Sequence, residues 1–333
     1  MKVAINGFGR IGRSVFRILD KRADAELVAI NDVFDHDALR YLLNYDTVMG
    51  RFEGTLELEG DELVTSHGRT RMLHERAPEK LPWKDLGVDV VIESTGIFTG
   101  REQLAKHLEA GAKRVVLTVP AKDRIDYTVV IGVNDDGLKP EHRIISNASC
   151  TTNCLAPVAK VLQDSFGIVE GIINTVHAYT NDQRLADVPH SDWRRSRAAA
   201  ENIIPTSTGA AKAVGEVLPQ LKGRLDGIAA RVPVPDGSVV DLFVELEKSV
   251  SADDVHAAIR SAAQSQRMKG ILELMETPVV SSDIIGNSHS SIFDPAFTNV
   301  TGGKYLKCLS WYDNEWGYSN RVCDLLGLLA RWE

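Results

Sequence analysis

The stretch that decides the fold is Lys2-Val-Ala-Ile-Asn-Gly-Phe-Gly-Arg-Ile-Gly12, at the start of the chain. It begins as a short apolar strand pattern, and its three glycines follow in the order Gly-x-Gly-x-x-Gly. Apolar residues then recur at helical spacing over Arg13 to Asp20, and Leu27-Val-Ala-Ile30 has the composition of a second strand. This order of strand, glycine turn, helix and strand predicts a βαβ unit of a parallel sheet.

Each glycine of this turn has a physical role in binding a nucleotide. Gly7 permits the tight turn, Gly9 lets the backbone approach a pyrophosphate, and Gly12 allows the helix to pack closely on the strand. Backbone N–H groups of Arg10 and Ile11 would bind the pyrophosphate at the helix N-terminus. The glycine pattern alone can be a structural loop, but its position between a strand and a helix favours a dinucleotide site.

An acidic residue ends the second predicted strand. Asp32 lies about twenty residues beyond the last glycine, where a carboxylate accepts hydrogen bonds from ribose hydroxyls and repels a 2′-phosphate. The sequence therefore predicts NAD as the cofactor, with NADP less favoured. The alternative is that Asp32 is a turn residue that caps a helix predicted over Asp35 to Asn44.

More strands and helices follow the first βαβ unit. Strands are predicted at Val88–Ile92, Arg114–Thr118 and Thr128–Ile131, with a helix over Arg101–Ala110. Continuous apolar strands that alternate with helices predict an α/β fold with a Rossmann-type, doubly wound parallel sheet. The segment from Phe52 to Met72 alternates as a hairpin does, so we expect it at the edge of this sheet.

Ligands of such a sheet bind at the carboxyl ends of its strands. Two predicted loops lie at those ends, Ser94–Gly96 and Thr118–Lys122. We therefore expect them to border the nicotinamide and its ribose.

Size and composition limit the classes of function. A chain of 333 residues is long enough for two domains, and its 44% hydrophobic and 25% charged residues are typical of a globular protein. A net charge of -8 argues against a general nucleic-acid binder and against binding to an acidic membrane surface. The four cysteines have no framework spacing, which indicates a reducing compartment. With no recognisable signal peptide or membrane span, we expect a cytoplasmic protein.

Two thiols lie among small polar side chains in Ser146-Asn-Ala-Ser-Cys-Thr-Thr-Asn-Cys-Leu-Ala-Pro157. Capping residues precede an apolar run with helical spacing, so Cys150 is predicted at a helix N-terminus, with Ser149 near the N-cap. The helix dipole favours an anion there, which predicts a lowered pKa for the Cys150 thiol and a role as nucleophile. The alternative is that Cys150 and Cys154 are small buried hydrophobic residues.

A histidine ends the strand predicted over Gly171–His177. His177 has the side chain best suited to take and return a proton near neutral pH, so it is the candidate base for Cys150. The alternative is a structural histidine. A zinc site of Cys150, Cys154 and His177 is not predicted, because the chain offers no C-x-x-C pair and no convincing fourth ligand.

The segment from Ala178 to Asn202 is long, polar and mostly irregular, and it contains Trp193-Arg-Arg-Ser-Arg197. Loops of this kind carry function or an interface, and arginine binds phosphate through two parallel hydrogen bonds. Thr206–Ala210 offers hydroxyls and a flexible backbone ahead of a helix predicted over Ala211–Leu218. These features favour an anion site, although a solvated basic surface has the same composition.

The second half of the chain differs from the first in its strand pattern. Val239–Leu246 alternates strictly, as a half-buried antiparallel strand does. Asn314 provides a side-chain amide in a turn, suited to capping or to binding another amide, and a final amphipathic helix follows it. We therefore expect an α+β domain with a mostly antiparallel sheet.

Together these residues resemble phosphorylating glyceraldehyde-3-phosphate dehydrogenase. The resemblance extends from the first strand to the last helix, and the segment around Cys150 is its most specific part. The matching segments are Ile5–Arg13, Ser146–Pro157, His177–Gln183, Arg194–Thr208, Arg231–Pro233 and Trp311–Tyr318.

The resemblance implies a role for each matching residue. Cys150 would be the nucleophile and His177 its base, acting on glyceraldehyde 3-phosphate. The residues implied for the substrate phosphate and inorganic phosphate are Ser149, Thr151, Thr180, Arg195, Thr208, Gly209 and Arg231. Those implied for the cofactor, beside the glycines, are Arg10, Ile11, Asp32, Arg76, Thr118 and Asn314.

The family also implies an organisation for the whole protein. Residues 1–149 would form the NAD-binding domain, completed by a C-terminal helix over 315–333, and residues 150–314 would form the catalytic domain. Members are typically homotetramers in which the long loop lines a neighbouring subunit's cofactor site.

Four positions depart from the commonest family pattern: Val119, Trp193, Asp236 and Gly237. They put fine specificity and subunit packing in doubt, since none of them removes a reacting group. The nearest rival function is that of erythrose-4-phosphate dehydrogenase, which shares the cysteine stretch. A nucleotide-binding regulator or an RNA-binding protein would be a non-enzymatic alternative, although nucleic acid is not an expected partner.

Overall fold

The computed structural model describes residues 1–332, which divide into two compact units. The first unit contains Met1–Val129, Asp136–Ser149 and the chain from Ser319 onward. The second contains Val130–Asp135 and Cys150–Tyr318. Among the described residues, no helix has both the length and the apolar composition needed to cross a membrane.

Strands and helices are numbered in chain order. The strands are β1 (Lys2–Asn6), β2 (Glu26–Asn31), β3 (Tyr45–Asp46), β4 (Gly50–Arg51), β5 (Leu56–Glu59), β6 (Glu62–Thr65), β7 (Gly68–Leu73), β8 (Val90–Glu93), β9 (Arg114–Leu117), β10 (Tyr127–Thr128), β11 (Ile144–Ser146), β12 (Ile168–Ala178), β13 (Ile204–Ser207), β14 (Leu225–Val232), β15 (Ser238–Leu246), β16 (Leu272–Leu274), β17 (Ser291–Thr301) and β18 (Tyr305–Tyr312). The α-helices are α1 (Arg10–Leu19), α2 (His36–Asn44), α3 (Trp83–Leu86), α4 (Arg101–Glu109), α5 (Cys150–Phe166), α6 (Ala210–Val217), α7 (Ala252–Gln264), α8 (Ser281–Ile284) and α9 (Trp316–Leu329).

The first unit is built on one large sheet. Within residues 1–332 its strand order is β10-β11-β9-β8-β1-β2-β7-β6-β5. Pairing is parallel from β10 to β7 and antiparallel in the β7-β6-β5 meander. This confirms the predicted Rossmann-type sheet, and strands β5 to β7 place the alternating segment at its edge.

One strand of this sheet is shorter than predicted. The sequence predicts a strand over Thr128–Ile131, but β10 covers Tyr127–Thr128. The backbone N–H of Val130 donates to the side chain of Asn134 at 2.8 Å instead of to a neighbouring strand. The apolar run therefore turns away from the sheet after Val129.

Burial on both faces explains the continuous apolar strands of the first unit. Val3, Ala4 and Ile5 of β1 are fully buried, as are the apolar residues of β8 and β9. On one face of the sheet Trp83 packs with Ala4 and other small residues, and a separate cluster forms around Leu104. The packing fixes the strands, so their carboxyl ends are held in place.

The second unit contains a mixed sheet. Among the described residues its order is β13-β14-β12-β15-β18-β17-β16, and only the β12–β14 and β16–β17 pairs are parallel. Helix α5 packs on β17 and β18 and against α6 and α7. In β15, Val240, Leu242, Val244 and Leu246 are buried, which confirms the predicted alternation and the mostly antiparallel sheet.

The opposite surface of this sheet, here called the outer face, carries exposed apolar side chains. Ile172, Phe243 and Lys307 are cross-strand neighbours, so they lie on the same face. The exposed apolar residues of this face are Ile172, Ile228, Phe243, Phe297 and Tyr305. A shallow depression of about 750 Å³ lies among them.

Candidate active site

The chain places Cys150 at the first residue of α5, as the sequence predicts. The capping residues before it and the apolar run after it explain why the helix starts there. All four cysteines are free thiols; Cys150 is half-buried, whereas Cys154, Cys308 and Cys323 are fully buried. Cys150 is therefore the thiol that a small reactant can reach.

His177 lies next to Cys150, near the end of β12. Its Nε2 is 3.6 Å from the Cys150 Sγ, and its Nδ1 is 2.7 Å from the backbone carbonyl of Ala178. A carbonyl oxygen can only accept, so Nδ1 carries the proton and Nε2 presents a lone pair to the thiol. This tautomer is the one that a general base for Cys150 requires.

The electrostatics of the pair differ from the sequence prediction of a lowered pKa for Cys150. Burial raises the pKa of Cys150, while the nearby Arg231 guanidinium opposes that rise. Burial, assisted by Arg231, lowers the pKa of His177 to about 4. The predicted lowering of the Cys150 pKa is therefore wrong, because burial outweighs the helix N-terminus. Near neutral pH the pair is a thiol beside a neutral imidazole.

A buried tyrosine packs against His177, and its hydroxyl contacts the residue that follows Cys150. Tyr312 OH is 2.8 Å from Thr151 Oγ1 and 2.9 Å from Thr175 Oγ1, and the Tyr312 ring meets the His177 ring edge to face. Burial raises the pKa of Tyr312 well above its usual value, so this hydroxyl stays neutral. The Thr151 hydroxyl is thus engaged by Tyr312. The group of Thr151 that could donate to an anion is therefore its backbone N–H.

Two arginines and a threonine of the expected anion site lie in one hydrogen-bonded cluster beside His177. Arg231 Nη1 donates to Thr180 Oγ1 at 2.7 Å and lies 3.3 Å from His177 Nδ1. Arg195 donates to Asp182 at 2.5 Å and to Thr206 Oγ1 at 3.0 Å. Thr180 also contacts Asp182. The cluster therefore contains two guanidinium groups and two carboxylates, since Asp192 lies 3.6 Å from Arg195 Nε.

One donor of this site has no protein partner. Arg231 Nε is buried without a hydrogen-bond partner among residues 1–332. Leaving a buried donor unsatisfied costs about 1–3 kcal/mol, and more for a charged group, so this atom favours an acceptor from a ligand or water. The structure thus joins Cys150, His177, Arg231, Thr180 and Arg195 in one connected set.

The remaining phosphate candidates lie at the start of two helices. Thr208 Oγ1 accepts from Ala210 N at 3.2 Å at the beginning of α6, and Gly209 has open space where a Cβ would stand. Ser149 is half-buried directly before α5. The backbone N–H groups of Thr208 and Gly209 lie at a helix N-terminus, where anions are favoured, but no contact joins either residue to Arg231.

Asn314 is oriented by a serine that the sequence did not suggest. The backbone N–H of Ala178 donates to Ser238 Oγ at 3.1 Å, and Ser238 Oγ donates to Asn314 Oδ1 at 2.6 Å. Asn314 Oδ1 is therefore fixed as an acceptor and its Nδ2 as the free donor end. This orientation suits the amide-binding role that the resemblance implies.

Two buried carboxylates flank the Ser238–Asn314 contact. Asp313 accepts from the backbone N–H groups of Gly286, Glu315 and Trp316. Burial and the charge of Asp313 raise the pKa of Asp236 to about 9. Gly237 has φ +82°, and a Cβ there would lie 2.1 Å from the Ser281 carbonyl, which explains why glycine follows Asp236 in this chain.

In the first unit, the glycine turn fits a dinucleotide. Gly7 has φ +95°, a Cβ on Gly12 would meet the Gly7 carbonyl at 2.2 Å, and nothing lies near the Cβ position of Gly9. Arg10 and Ile11 begin α1 immediately beyond. The Asp32 carboxylate accepts from Phe8 N at 2.6 Å, which fixes its position at the end of β2. The close approach at Gly9 and the placed carboxylate match the needs of NAD.

The other cofactor candidates lie after strands of the same sheet. The Arg10 side chain pairs with Asp46, and Arg76 is exposed beyond β7. Thr118 donates from both its backbone N–H and its hydroxyl to the Glu93 carbonyl, each at 3.1 Å. Thr118 is thereby held at the carboxyl end of β9.

Sequence reasoning assigned no role to Tyr312, Ser238 or Asp182, although all three touch candidate site residues. Asp182 and Tyr312 stood within matching segments, which offered a sequence clue. Ser238 lies at a strand end, where alternation predicts burial but gives no information about partners.

Comparison with known proteins agrees with this geometry. Residues 1–101 match the glyceraldehyde 3-phosphate dehydrogenase NAD binding domain, and residues 149–314 match the C-terminal domain of the same family. The chain is 57% identical over 328 residues to glyceraldehyde-3-phosphate dehydrogenase of Streptomyces coelicolor, covering 98% of this chain and 97% of that protein. It is 56% identical over 331 residues to that of Geobacillus stearothermophilus, covering 99% and 98%. The resemblance seen in the sequence is confirmed: the chain belongs to the glyceraldehyde-3-phosphate dehydrogenase family.

Proposed function

We propose that this protein oxidises D-glyceraldehyde 3-phosphate to 1,3-bisphosphoglycerate in glycolysis or gluconeogenesis, with NAD and inorganic phosphate. The observation that carries the proposal is the contact between Cys150 and the neutral His177 beside Arg231. Family membership supports the same reaction, and it does not favour erythrose-4-phosphate oxidation or a role without catalysis.

The chemistry begins with proton transfer within the pair. His177 Nε2 takes the proton from Cys150 Sγ, the sulfur adds to the aldehyde carbon, and the imidazolium returns the proton to the new oxygen. The hydride that leaves this carbon would go to the nicotinamide of NAD, which Gly7, Gly9, Gly12 and Asp32 would hold. His177 takes the hydroxyl proton as the carbonyl re-forms, which leaves a thioester on Cys150. Phosphate then attacks the thioester, and the thiolate departs.

Two anions must be bound, the phosphate of the aldehyde and the attacking phosphate. Arg195 and Arg231 provide the cationic groups and Thr180 a hydroxyl between them, and Ser149, Thr151, Thr208 and Gly209 add polar groups at the starts of two helices. This arrangement explains how a protein with a net charge of -8 attracts two anionic substrates.

The cofactor is bound mainly by the first unit. Gly7, Gly9 and Gly12 admit the pyrophosphate, and Asp32 selects a free ribose 2′-hydroxyl. Further proposed contacts come from Arg10, Ile11, Arg76, Thr118 and Asn314. In functional terms, residues 1–149 with 315–333 act as the NAD-binding domain, and residues 150–314 act as the catalytic domain.

The protein acts as a homotetramer in the cytoplasm. The apolar outer face is an exposed patch of the kind that partner subunits cover, and the long loop exposes Trp193. Four free thiols suit a reducing compartment. Sedimentation should show a tetramer. Ile172→Glu should shift it to smaller species, whereas Gln264→Glu, an exposed change on α7, should leave it intact.

The reaction is tested by following absorbance at the nicotinamide band with each aldehyde and each cofactor. Glyceraldehyde 3-phosphate with NAD should give the highest kcat/KM, and arsenate should replace phosphate. Without either oxyanion, turnover should stop after one acylation. A higher kcat/KM for erythrose 4-phosphate would contradict the proposed substrate.

A further inference from the structure

A chain of buried hydrogen bonds crosses the carboxyl ends of β2, β1 and β8. It has no part in the chemistry of Cys150. Its members are at most 3% exposed: Asn31, Asn6, Glu93, His107 and Trp83. Buried polar groups of this number are costly unless every one is satisfied, so the direction of each hydrogen bond carries information.

The direction is set at one end by an indole. Trp83 Nε1 lies 3.0 Å from His107 Nδ1, and an indole N–H can only donate. His107 Nδ1 must therefore accept. Its proton is on Nε2, which donates to Glu93 Oε2 at 3.0 Å.

The direction is set at the other end by a peptide group. Asn31 Oδ1 accepts from Glu75 N at 2.9 Å, and Asn31 Nδ2 donates to Glu75 O. Asn31 Nδ2 also donates to Asn6 Oδ1 at 2.7 Å, so Asn6 Nδ2 is the end that meets Glu93 Oε2, at 2.6 Å. Two donors thus converge on one oxygen, and neither end can reverse. Glu93 Oε2 must therefore accept both hydrogen bonds.

The rest of Glu93 holds the two loops expected to border the cofactor. Glu93 Oε1 accepts from the backbone N–H of Thr95 at 2.9 Å and from its hydroxyl. The Glu93 carbonyl accepts from both donors of Thr118. Ser94 Oγ donates to the Gly7 carbonyl at 2.7 Å, which connects the first loop to the glycine turn.

We propose that Glu93 is a positioning residue for NAD, kept in its accepting role by His107 and Trp83. It fixes the Ser94–Gly96 loop, Thr118 and the Gly7 turn as one preformed surface. The inference rests on the proposed cofactor site, and it adds to that site a residue that does not touch the cofactor.

Glu93→Gln is the direct test. Glutamine has nearly the same shape as glutamate, but its NH₂ group would face donors at a position where the parent has only accepting oxygens. Binding of NAD is measured by calorimetry and steady-state constants by absorbance. We expect the Kd and KM for NAD to rise about tenfold, with kcat and the KM for phosphate within about twofold of the parent. Glu93→Asp, which keeps the charge, should recover part of the affinity.

Thr70→Val is the matched control. Thr70 is buried in the same sheet, and its hydroxyl donates to the Leu27 carbonyl at 3.1 Å near the start of β2. This variant should unfold at a lower denaturant concentration than the parent, but its Kd for NAD should equal that of the parent. Equal weakening of NAD binding in Thr70→Val and Glu93→Gln would overturn the proposal, as would unchanged binding in Glu93→Gln.

Two further variants keep the outcome decisive. If Glu93→Gln does not fold, Trp83→Phe releases His107 to change its tautomer and should raise the Kd for NAD about threefold; unchanged binding would then reject the proposal. Asp32→Ala tests the proposed cofactor site separately. If Asp32→Ala also leaves the Kd for NAD unchanged, the proposed cofactor site is wrong. If Asp32→Ala weakens binding and the Glu93 and Trp83 variants do not, the cofactor site stands and the proposed role of Glu93 is wrong.

Discussion

In the first unit Asn6, Asn31, Glu93 and His107 are buried and bonded to one another, whereas in the second unit His177 and Asp236 are buried with pKa values far from their usual range. The first arrangement holds a shape, because each donor meets an acceptor. The second contains titratable groups whose protonation states near neutral pH are set by burial: a neutral imidazole and a protonated carboxyl. Burial of polar residues thus accompanies paired hydrogen bonds in one unit and shifted pKa values in the other. The following predictions test this contrast.

The largest effect is expected for Cys150→Ser. The serine hydroxyl is a much weaker nucleophile at this site, so kcat should fall by at least about 10⁴-fold. NAD binding, measured by calorimetry, should remain. Iodoacetamide near neutral pH should modify Cys150 of the parent before the three fully buried thiols, and burial raises the pKa of Cys154 and Cys308 to about 12. First alkylation at another cysteine, seen by peptide mapping, would contradict the assignment.

His177→Asn should lower kcat/KM by about 10²–10⁴-fold, because it removes the base but leaves the thiol. It should also slow alkylation of Cys150 near neutral pH. The Glu93→Gln variant provides the contrast, since it should weaken the binding of NAD and leave kcat nearly unchanged. If His177→Asn raised only the KM for NAD, the assignment of catalysis to the second unit and of cofactor binding to the first would be wrong.

Stability should depend on pH through His177. Its pKa is about 4 in the folded chain and about 6.5 when unfolded, so between these values the unfolded chain binds more protons. Stability is therefore present above pH 6.5 and is lost as the pH falls. Between pH 7 and pH 5 the loss from this group is roughly 2 kcal/mol. Denaturant titrations should show this loss of unfolding free energy between pH 7 and pH 5 in the parent and not in His177→Asn.

Cofactor choice tests the first unit. Asp32→Gly removes the carboxylate that repels a 2′-phosphate, so the ratio of kcat/KM for NAD to that for NADP should fall about tenfold. Steady-state assays with both cofactors measure the ratio. Glu93→Gln should weaken NAD and NADP alike, because the Glu93 side chain contacts Asn6, His107 and Thr95 and the variant leaves Asp32 unchanged. An unchanged ratio in Asp32→Gly would remove Asp32 from the specificity site.

The smallest effect is expected for Asp236→Asn. The raised pKa of Asp236 means that the folded chain holds a proton that the unfolded chain releases, so stability is lost as the pH rises toward 9. An amide needs no such proton. Asp236→Asn should be more stable than the parent at pH 8 by about 1 kcal/mol and equal or less stable at pH 5. Greater stability of the parent at pH 8 would contradict this.

Local patterns were sufficient for much of the fold. The predicted helix over Arg101–Ala110 is α4, and the long irregular segment after Ala178 contains no strand or helix before β13. The prediction of a strand over Thr128–Ile131 was wrong in length, because the partner of Val130 N is the side chain of Asn134. Apolar composition indicates burial, and it does not say whether a neighbouring strand or a side chain takes the backbone N–H.

The sequence by itself determined the parallel sheet, the glycine turn, the helix that begins at Cys150 and the family, because these depend on periodicity, capping and local spacing. Only the tertiary structure decided the protonation states. Burial raises the pKa of Cys150 against the expectation from its helix position, and it lowers that of His177. The Trp83–His107–Glu93 contacts and the Ser238–Asn314 contact join residues distant in the chain. Desolvation and hydrogen-bond direction depend on what surrounds a group in three dimensions, so no local pattern encodes them.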